Sequence, residues 1–253
     1  MGAQDLFSFQ GRVLLAERQA NGKPAAMRFV GNASLLQLQL TAENTDKTES
    51  FSGSRGLYGR LNRSKAITVS LTLDEWLPAN IALGLYSKPI TLEGGTVTAE
   101  PFPPGLVAGD LVRLDHPFVS NVVLSDGAEP AAPVPPAAYV LDSPNAGLVK
   151  IVDPTGLAQP FTAAYSHASA DSLAMFTEKP PERWLMLDGI NTVNQQPVVL
   201  ELYRLQFDPL GTLDAINEEY GELALTGAGL IDADKVPDET LGGFGRILQK
   251  RAA

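Results

Sequence analysis

The sequence has no cysteine and only two histidines among 253 residues. The first absence removes disulfide frameworks, thiolate zinc sites, iron–sulfur clusters and cysteine nucleophiles. The second leaves little material for imidazole acid–base chemistry. No run approaches the roughly 18 apolar residues that a membrane-crossing helix needs. No G-x-x-x-x-G-K-S/T phosphate cradle occurs, and Gly227, Gly229, Gly242, Gly243 and Gly245 do not fall into a dinucleotide fingerprint. Gly53-Ser54-Arg55-Gly56 lacks the spacing of a nucleophile elbow. His116 stands before Pro117, and His167 follows Ser166 on an alternating stretch, where neighbouring side chains point to opposite faces. Neither histidine receives a role, and the expectation is a protein without catalytic, cofactor or metal site.

Positive charge is also scarce, at 19 basic against 29 acidic residues for a net charge of −10. Such a chain repels nucleic acid and anionic membrane as a whole. The imbalance is uneven: residues 1–126 hold 11 basic and 12 acidic groups, whereas residues 127–253 hold 8 and 17. The opening stretch MGAQDLFSFQ has neither a basic n-region nor an apolar h-region, and Leu6 stands where a myristoylation signal has Ser or Thr. Synthesis and use without export are therefore expected.

What is present is mostly short runs of alternating or β-branched apolar residues, punctuated by Gly and Pro, so the fold class is mainly β, of sandwich or barrel type. Strands are predicted over Arg12–Arg18, Met27–Leu40, Ala66–Leu73, Ile90–Ala99, Asp110–Leu114, Phe118–Leu124, Tyr139–Leu141, Gly147–Val152, Phe161–Ser166, Trp184–Leu187, Val198–Phe207 and Gly221–Leu230. Leu36, Leu38 and Leu40 alternate with Gln37 and Gln39, which gives one dry face and one wet face. Ser143-Pro144-Asn145-Ala146 reads as the turn of a hairpin. After Leu73 the period changes: Asp74 is placed to cap a helix over about 75–86, with Pro78 in its first turn. Trp76, Leu77, Ile81 and Leu85 form its packing face. Thr212–Glu219 reads as a short helical turn.

Residues 42–65 form a polar stretch with three glycines and five basic against three acidic side chains, expected to be a long loop or an extended hairpin. Lys47, Arg55, Arg60, Arg63 and Lys65 are the only basic concentration in the chain, with Phe51 and Tyr58 among them. Two aromatics do not make a nucleic-acid stacking platform. An acidic protein surface is the better partner, and the second half of this same chain offers one. That pairing predicts a head-to-tail contact between copies, which closes into rings or grows into filaments.

Asp232, Asp234, Asp238 and Glu239 have the ligand types of a calcium site without the glycine and terminal glutamate of an EF-hand loop, so a solvated acidic turn is expected. Asn32-Ala33-Ser34 and Asn62-Arg63-Ser64 match the glycosylation triplet, which has no consequence without a secretory route. Residues 128–137, AEPAAPVPPA, cannot be a central strand and read as a linker or wide turn. Residues 235–253 read as an arm that orders on a partner.

The order of these pieces resembles the major tail tube protein of long-tailed bacteriophages. SLTLDEWLPANIALGLYS, from Ser70 to Ser87, is similar to that family's strand-then-helix unit, and FVGNASLLQLQLTAENTDKTESFSGSRGLYGRL to its strand followed by a long loop or hairpin. VSNVVLSDG, Ala138–Asp142, Gly147–Ile151 and FTAAYSHAS resemble the middle of many tube proteins, and the run from Val198 to Asp232 their closing strand pair. The resemblance covers about residues 28–235. It implies a single tail-tube domain over 1–253, a β-sandwich or barrel-like fold with one flanking helix, and homohexameric rings stacked into a hollow tube. Further implied partners are terminator, tape-measure and distal tail proteins, with genomic DNA passing through unbound and no membrane. The location implied is the virion tail, after synthesis in the bacterial cytoplasm. Total length and the Pro-rich stretch exceed the minimal tube fold and point to an inserted or elaborated segment. Glu201, Glu218, Glu219 and Glu222 become candidates to line the lumen, and the helix is expected to cover a sheet edge. The alternatives are another ring protein, such as a baseplate adaptor or a type VI-like tube subunit, and a calcium- or glycan-binding β-sandwich.

Overall fold

A computed structural model describes residues 6–250; the first five residues of the amino-terminal stretch and the last three of the 235–253 arm lie outside it. The protein is mainly β, with several antiparallel sheets in a sandwich-like fold and one α-helix among the described residues. Where one domain was expected, the chain divides into two compact units. The first comprises residues 1–89 and 173–253, and the second, residues 90–172, is inserted within it.

The first unit is built on an eight-stranded sheet. Its strands are β1 (Phe9–Ala16), β2 (Arg28–Phe29), β3 (Ala33–Thr48), β4 (Leu57–Leu73), β13 (Glu182–Asn191), β14 (Gln196–Phe207), β15 (Leu223–Gly229) and β16 (Gly245–Gln249). The order is β2-β1-β13-β14-β15-β4-β3. One edge of β14 is shared: β15 pairs with Leu205–Phe207, and β16 pairs with Val198–Leu202. The predicted Met27–Leu40 strand is broken at Gly31, whose φ of +87° favours glycine. The inner face buries Val13, Leu15, Val69, Leu71, Leu73, Leu200, Leu205 and Phe207 in one cluster, at the period of two that the sequence carries.

The helix α1 is shorter than expected, Pro78–Leu85, with Leu77 as its uncapped N-cap residue and Pro78 in its first turn. Ile81 and Leu83 enter the core, Leu85 packs against it, and Asn80 is buried with its Nδ2 donating to the Val30 carbonyl at 2.7 Å. Gly84 lies close enough to Leu210 and Leu225 that a Cβ there would sit at 3.0–3.1 Å. Two expectations fail here. Asp74 does not cap the helix but accepts from the Asn32 side chain, and Trp76 lies outside the helix with 68% of its surface exposed. The apolar periodicity began one turn too early because Trp76 belongs to the connection. Thr212–Glu219 forms bends and no helical turn.

Part of the expected arm over 235–253 is claimed by the protein's own sheet. Residues 245–249 are β16, laid on β14, where Arg246 Nε donates to Glu201 Oε2 at 2.8 Å. Gly245 permits this approach, since a Cβ there would stand 2.1 Å from the Glu201 carbonyl oxygen.

The second unit holds β5 (Ile90–Leu92), β6 (Gly95–Pro101), β7 (Leu111–Arg113), β8 (Val119–Ser125), β9 (Tyr139–Ser143), β10 (Leu148–Ile151), β11 (Thr162–His167) and β12 (Ala170–Ser172). They form sheets β7-β10-β9 and β6-β11-β8 and a pair, β12-β5, that joins the two ends of the insertion. Phe102, Leu114, Leu124, Val149, Ile151 and Phe161 centre its own core. The predicted hairpin at 143–146 is present as the β9–β10 connection. The Pro-rich 128–137 stretch is a wide turn and no linker: Val134 is buried in this core, Pro133 bridges to Ser125, and a 3-10 turn follows over Pro136–Ala138.

Candidate functional site

Residues 42–65 belong to an extended hairpin. β3 and β4 pair from Ala33↔Leu73 to Thr48↔Leu57 around a tip of residues 49–56. Their apolar alternation stops where the support stops. Leu36 and Leu38 pack on the core, but Leu40 is exposed, and β15 leaves β4 at Ile67. Beyond that point two strands continue alone, with both faces in solvent, for ten residues of β4, or roughly 30 Å. A two-stranded ribbon of this kind is marginal in water. It nonetheless exposes Leu57, Leu61, Tyr58 and Phe51, side chains that gain by burial.

Register places the expected contact residues. In β4 the pairing skips Arg63 and Tyr58, so each sits at a bulge, a device that re-aims a side chain. Phe51 meets Tyr58 edge-on at 6.0 Å. Glu49 organises the tip: its carboxylate accepts from the Phe51 amide at 3.0 Å, the Ser52 amide at 2.9 Å, the Ser54 hydroxyl at 2.8 Å and the Ser52 hydroxyl. These bonds, that from the Ser52 hydroxyl foremost, hold its pKa down at about 2. Arg55 turns the tip with a φ of 53°. Arg60 differs from its neighbours, because its guanidinium is taken by Asp46 across the ribbon, Nε to Oδ1 at 2.6 Å and Nη2 to Oδ2 at 2.8 Å. Lys47, Arg55, Arg63 and Lys65 make no ion pair among the described residues, so the arm's spare cations are these four.

The carboxylates proposed for a lumen separate. Glu201 is in the sheet, its side chain 16% exposed and paired to Arg246, so it is no free wall charge. Glu218, Glu219 and Glu222 lie exposed on the 208–222 connection. That connection and Trp76 enclose an open pocket of about 420 Å³ that sequence reading missed. Its floor is Leu73, Ile81 and Leu223, and Trp76, Leu213 and Tyr220 stand along it, Tyr220 fully exposed. Asp74, Glu75, Asp214 and Glu222 also line it, and none has an ion-pair partner among the described residues. No local pattern links positions 76 and 220, and the helical spacing of Trp76 with Leu77, Ile81 and Leu85 points it toward the core instead.

Two further groupings arise from the tertiary structure, and the second corrects the sequence reading. The two histidines are stacked, ring centroids 3.9 Å apart, and His116 Nδ1 lies 2.9 Å from the Tyr165 hydroxyl, which donates to Glu100 at 2.5 Å. Asp232 is buried, with Arg18 Nη2 3.1 Å from each of its carboxylate oxygens, while exposed Asp238 accepts from Thr240 in its own turn. The expected solvated turn therefore contains a buried ion pair between Arg18 and Asp232.

Fold and surface define a mainly β protein with a projecting hairpin arm and an exposed pocket, each carrying exposed aromatic side chains and charges that have no ion-pair partner among the described residues. The chain belongs to the family described as Protein of unknown function UCP028589, whose match spans residues 6–248. No curated protein matches the sequence.

Proposed function

We propose that this chain is a structural subunit of a long-tailed phage tail tube, assembling as homohexameric rings that stack into a conduit for genomic DNA. The observation that carries the reading is the arm. A ribbon reaching roughly 30 Å past its sheet, wet on both faces and studded with exposed Leu, Tyr and Phe, has no use within one copy and gains stability only when another molecule covers it. The resemblance over residues 28–235 gives that molecule as a second copy and the product as a tube in the virion tail, built in the bacterial cytoplasm and joined to terminator, tape-measure and distal tail proteins. A net charge of −10 fits a wall that must let phosphates slide past. Glu218 and Glu219, exposed and without an ion-pair partner among the described residues, are the carboxylates to place toward the lumen.

The test is negative-stain electron microscopy of the purified protein at high concentration, beside light scattering. Hollow tubes or stacked six-fold rings support the reading. Discrete rings that never stack shift it to an adaptor, and a monomer at every concentration and salt level rejects it.

A further inference from the structure

We infer that the pocket beneath Trp76 and Tyr220 is the seat for the hairpin tip of a second copy of this chain, so that copies join tip to root along the direction of β4. The inference rests on the tube reading and gives its longitudinal contact.

The two surfaces match in chemistry. The pocket offers an apolar floor and aromatic walls, with the carboxylates of Asp74, Glu75, Asp214 and Glu222 unneutralised around it. The arm offers Phe51 at its tip with Leu57 and Tyr58 at the start of β4, and Arg55 and Lys47 as cations with no ion pair among the described residues, against the one carboxylate of Glu49. Arg and aromatic side chains meeting across a desolvated pocket are the usual energetic centre of a contact. Opposite net charge on the two faces steers them together and disfavours tip-to-tip or pocket-to-pocket pairing.

Geometry forbids the contact within one copy. Asp74 follows directly on Leu73, the root end of β4, while the tip lies beyond Leu57 at the other end of a 17-residue strand, about 50 Å away. Continuous pairing with β3 keeps the ribbon from folding back. A surface at one end that fits a different surface at the other end is heterologous, and its repetition extends a linear array instead of closing a dimer. The ribbon's long axis is then the direction in which successive copies add.

The experiment uses full-length chains and two charge reversals on exposed residues. One variant carries Lys47→Glu and Arg55→Glu at the tip end of the arm; the other carries Asp74→Lys and Glu222→Lys at the pocket. Circular dichroism and melting temperature establish that both are folded. Neither is expected to stack at concentrations where the wild type does, and a 1:1 mixture should recover stacking, because each variant's tip now matches the other's pocket. The absence of native cysteine permits a direct second readout: Ser54→Cys copies mixed with Asn217→Cys copies should cross-link under mild oxidation far more than either alone. If the pocket variant stacks as the wild type does, or the mixture stays unassembled and uncross-linked, the contact is wrong while the tube reading stands. If the wild type itself never assembles, both fall.

Discussion

Arg60 and Asp46 face each other across the hairpin arm as a bidentate pair, Nε to Oδ1 at 2.6 Å and Nη2 to Oδ2 at 2.8 Å. The pair draws the Asp46 carboxyl below its ordinary range and raises the Arg60 guanidinium, in both cases chiefly through their mutual hydrogen bonds. Arg60 therefore spends its charge inside its own ribbon. Because exposed pairs contribute little to stability, Arg60→Ala should leave the melting temperature unchanged by scanning calorimetry, and it should leave assembly intact where the arm reversal that includes Arg55→Glu abolishes it.

Acid should loosen the tip at an unusually low pH. The Glu49 carboxyl is held at about 2 by the Ser52, Ser54 and Phe51 donors. A depressed carboxylate stabilises the fold above its unfolded value and loses that contribution as pH falls through its folded value. The Phe51 and Ser52 amide resonances should thus titrate with a midpoint near 2 and not between 4 and 5, and Glu49→Gln should remove the transition.

Trp76 separates a helix face from a surface wall. At 68% exposure, Trp76→Ala should change stability by no more than about 0.5 kcal/mol. The buried Leu205→Ala, by contrast, should cost about 2–5 kcal/mol. Urea unfolding of the two variants distinguishes these outcomes, and a Trp76→Ala loss of core size would return Trp76 to the interior.

The docking of β16 depends on a partly buried ion pair. Glu201, 16% exposed, loses in Arg246→Ala the one ion-pair partner it has among the described residues. The loss should lower stability by about 1.5–3 kcal/mol, as for hydrogen bonds to charged groups. Hydrogen exchange should then show residues 245–249 opening ahead of the rest of the sheet.

In the inserted unit, burial and the bond to Glu100 push the Tyr165 phenol above the ordinary tyrosine range. An unfolded chain sheds that proton first, so stability should fall as pH rises above about 10. Tyr165→Phe should flatten this alkaline loss in a pH series of thermal melts, at the expense of a lower melting temperature at neutral pH.

Much of the fold could be read from local pattern. Leu36 and Leu38 pack on the core as their alternation with Gln37 and Gln39 requires, Ala66–Leu73 falls within β4, and Ser143–Ala146 turns a hairpin. The candidate surface was half readable. A basic run with Phe51 and Tyr58 marked the arm, but composition cannot say whether such a run coils or pairs with itself.

The sequence by itself determined the β class, the positions of most strands, the uneven charge and the basic segment, because each is a property of neighbours along the chain. Tertiary structure alone decided the two-unit division, the capture of residues 245–249 by β14, the Arg18–Asp232 and Arg246–Glu201 pairs, the histidine stack and the pocket joining Trp76 to Tyr220. These bring together residues tens to hundreds of positions apart. Burial and pairing depend on what the folded chain sets against each side chain, and no local periodicity encodes that.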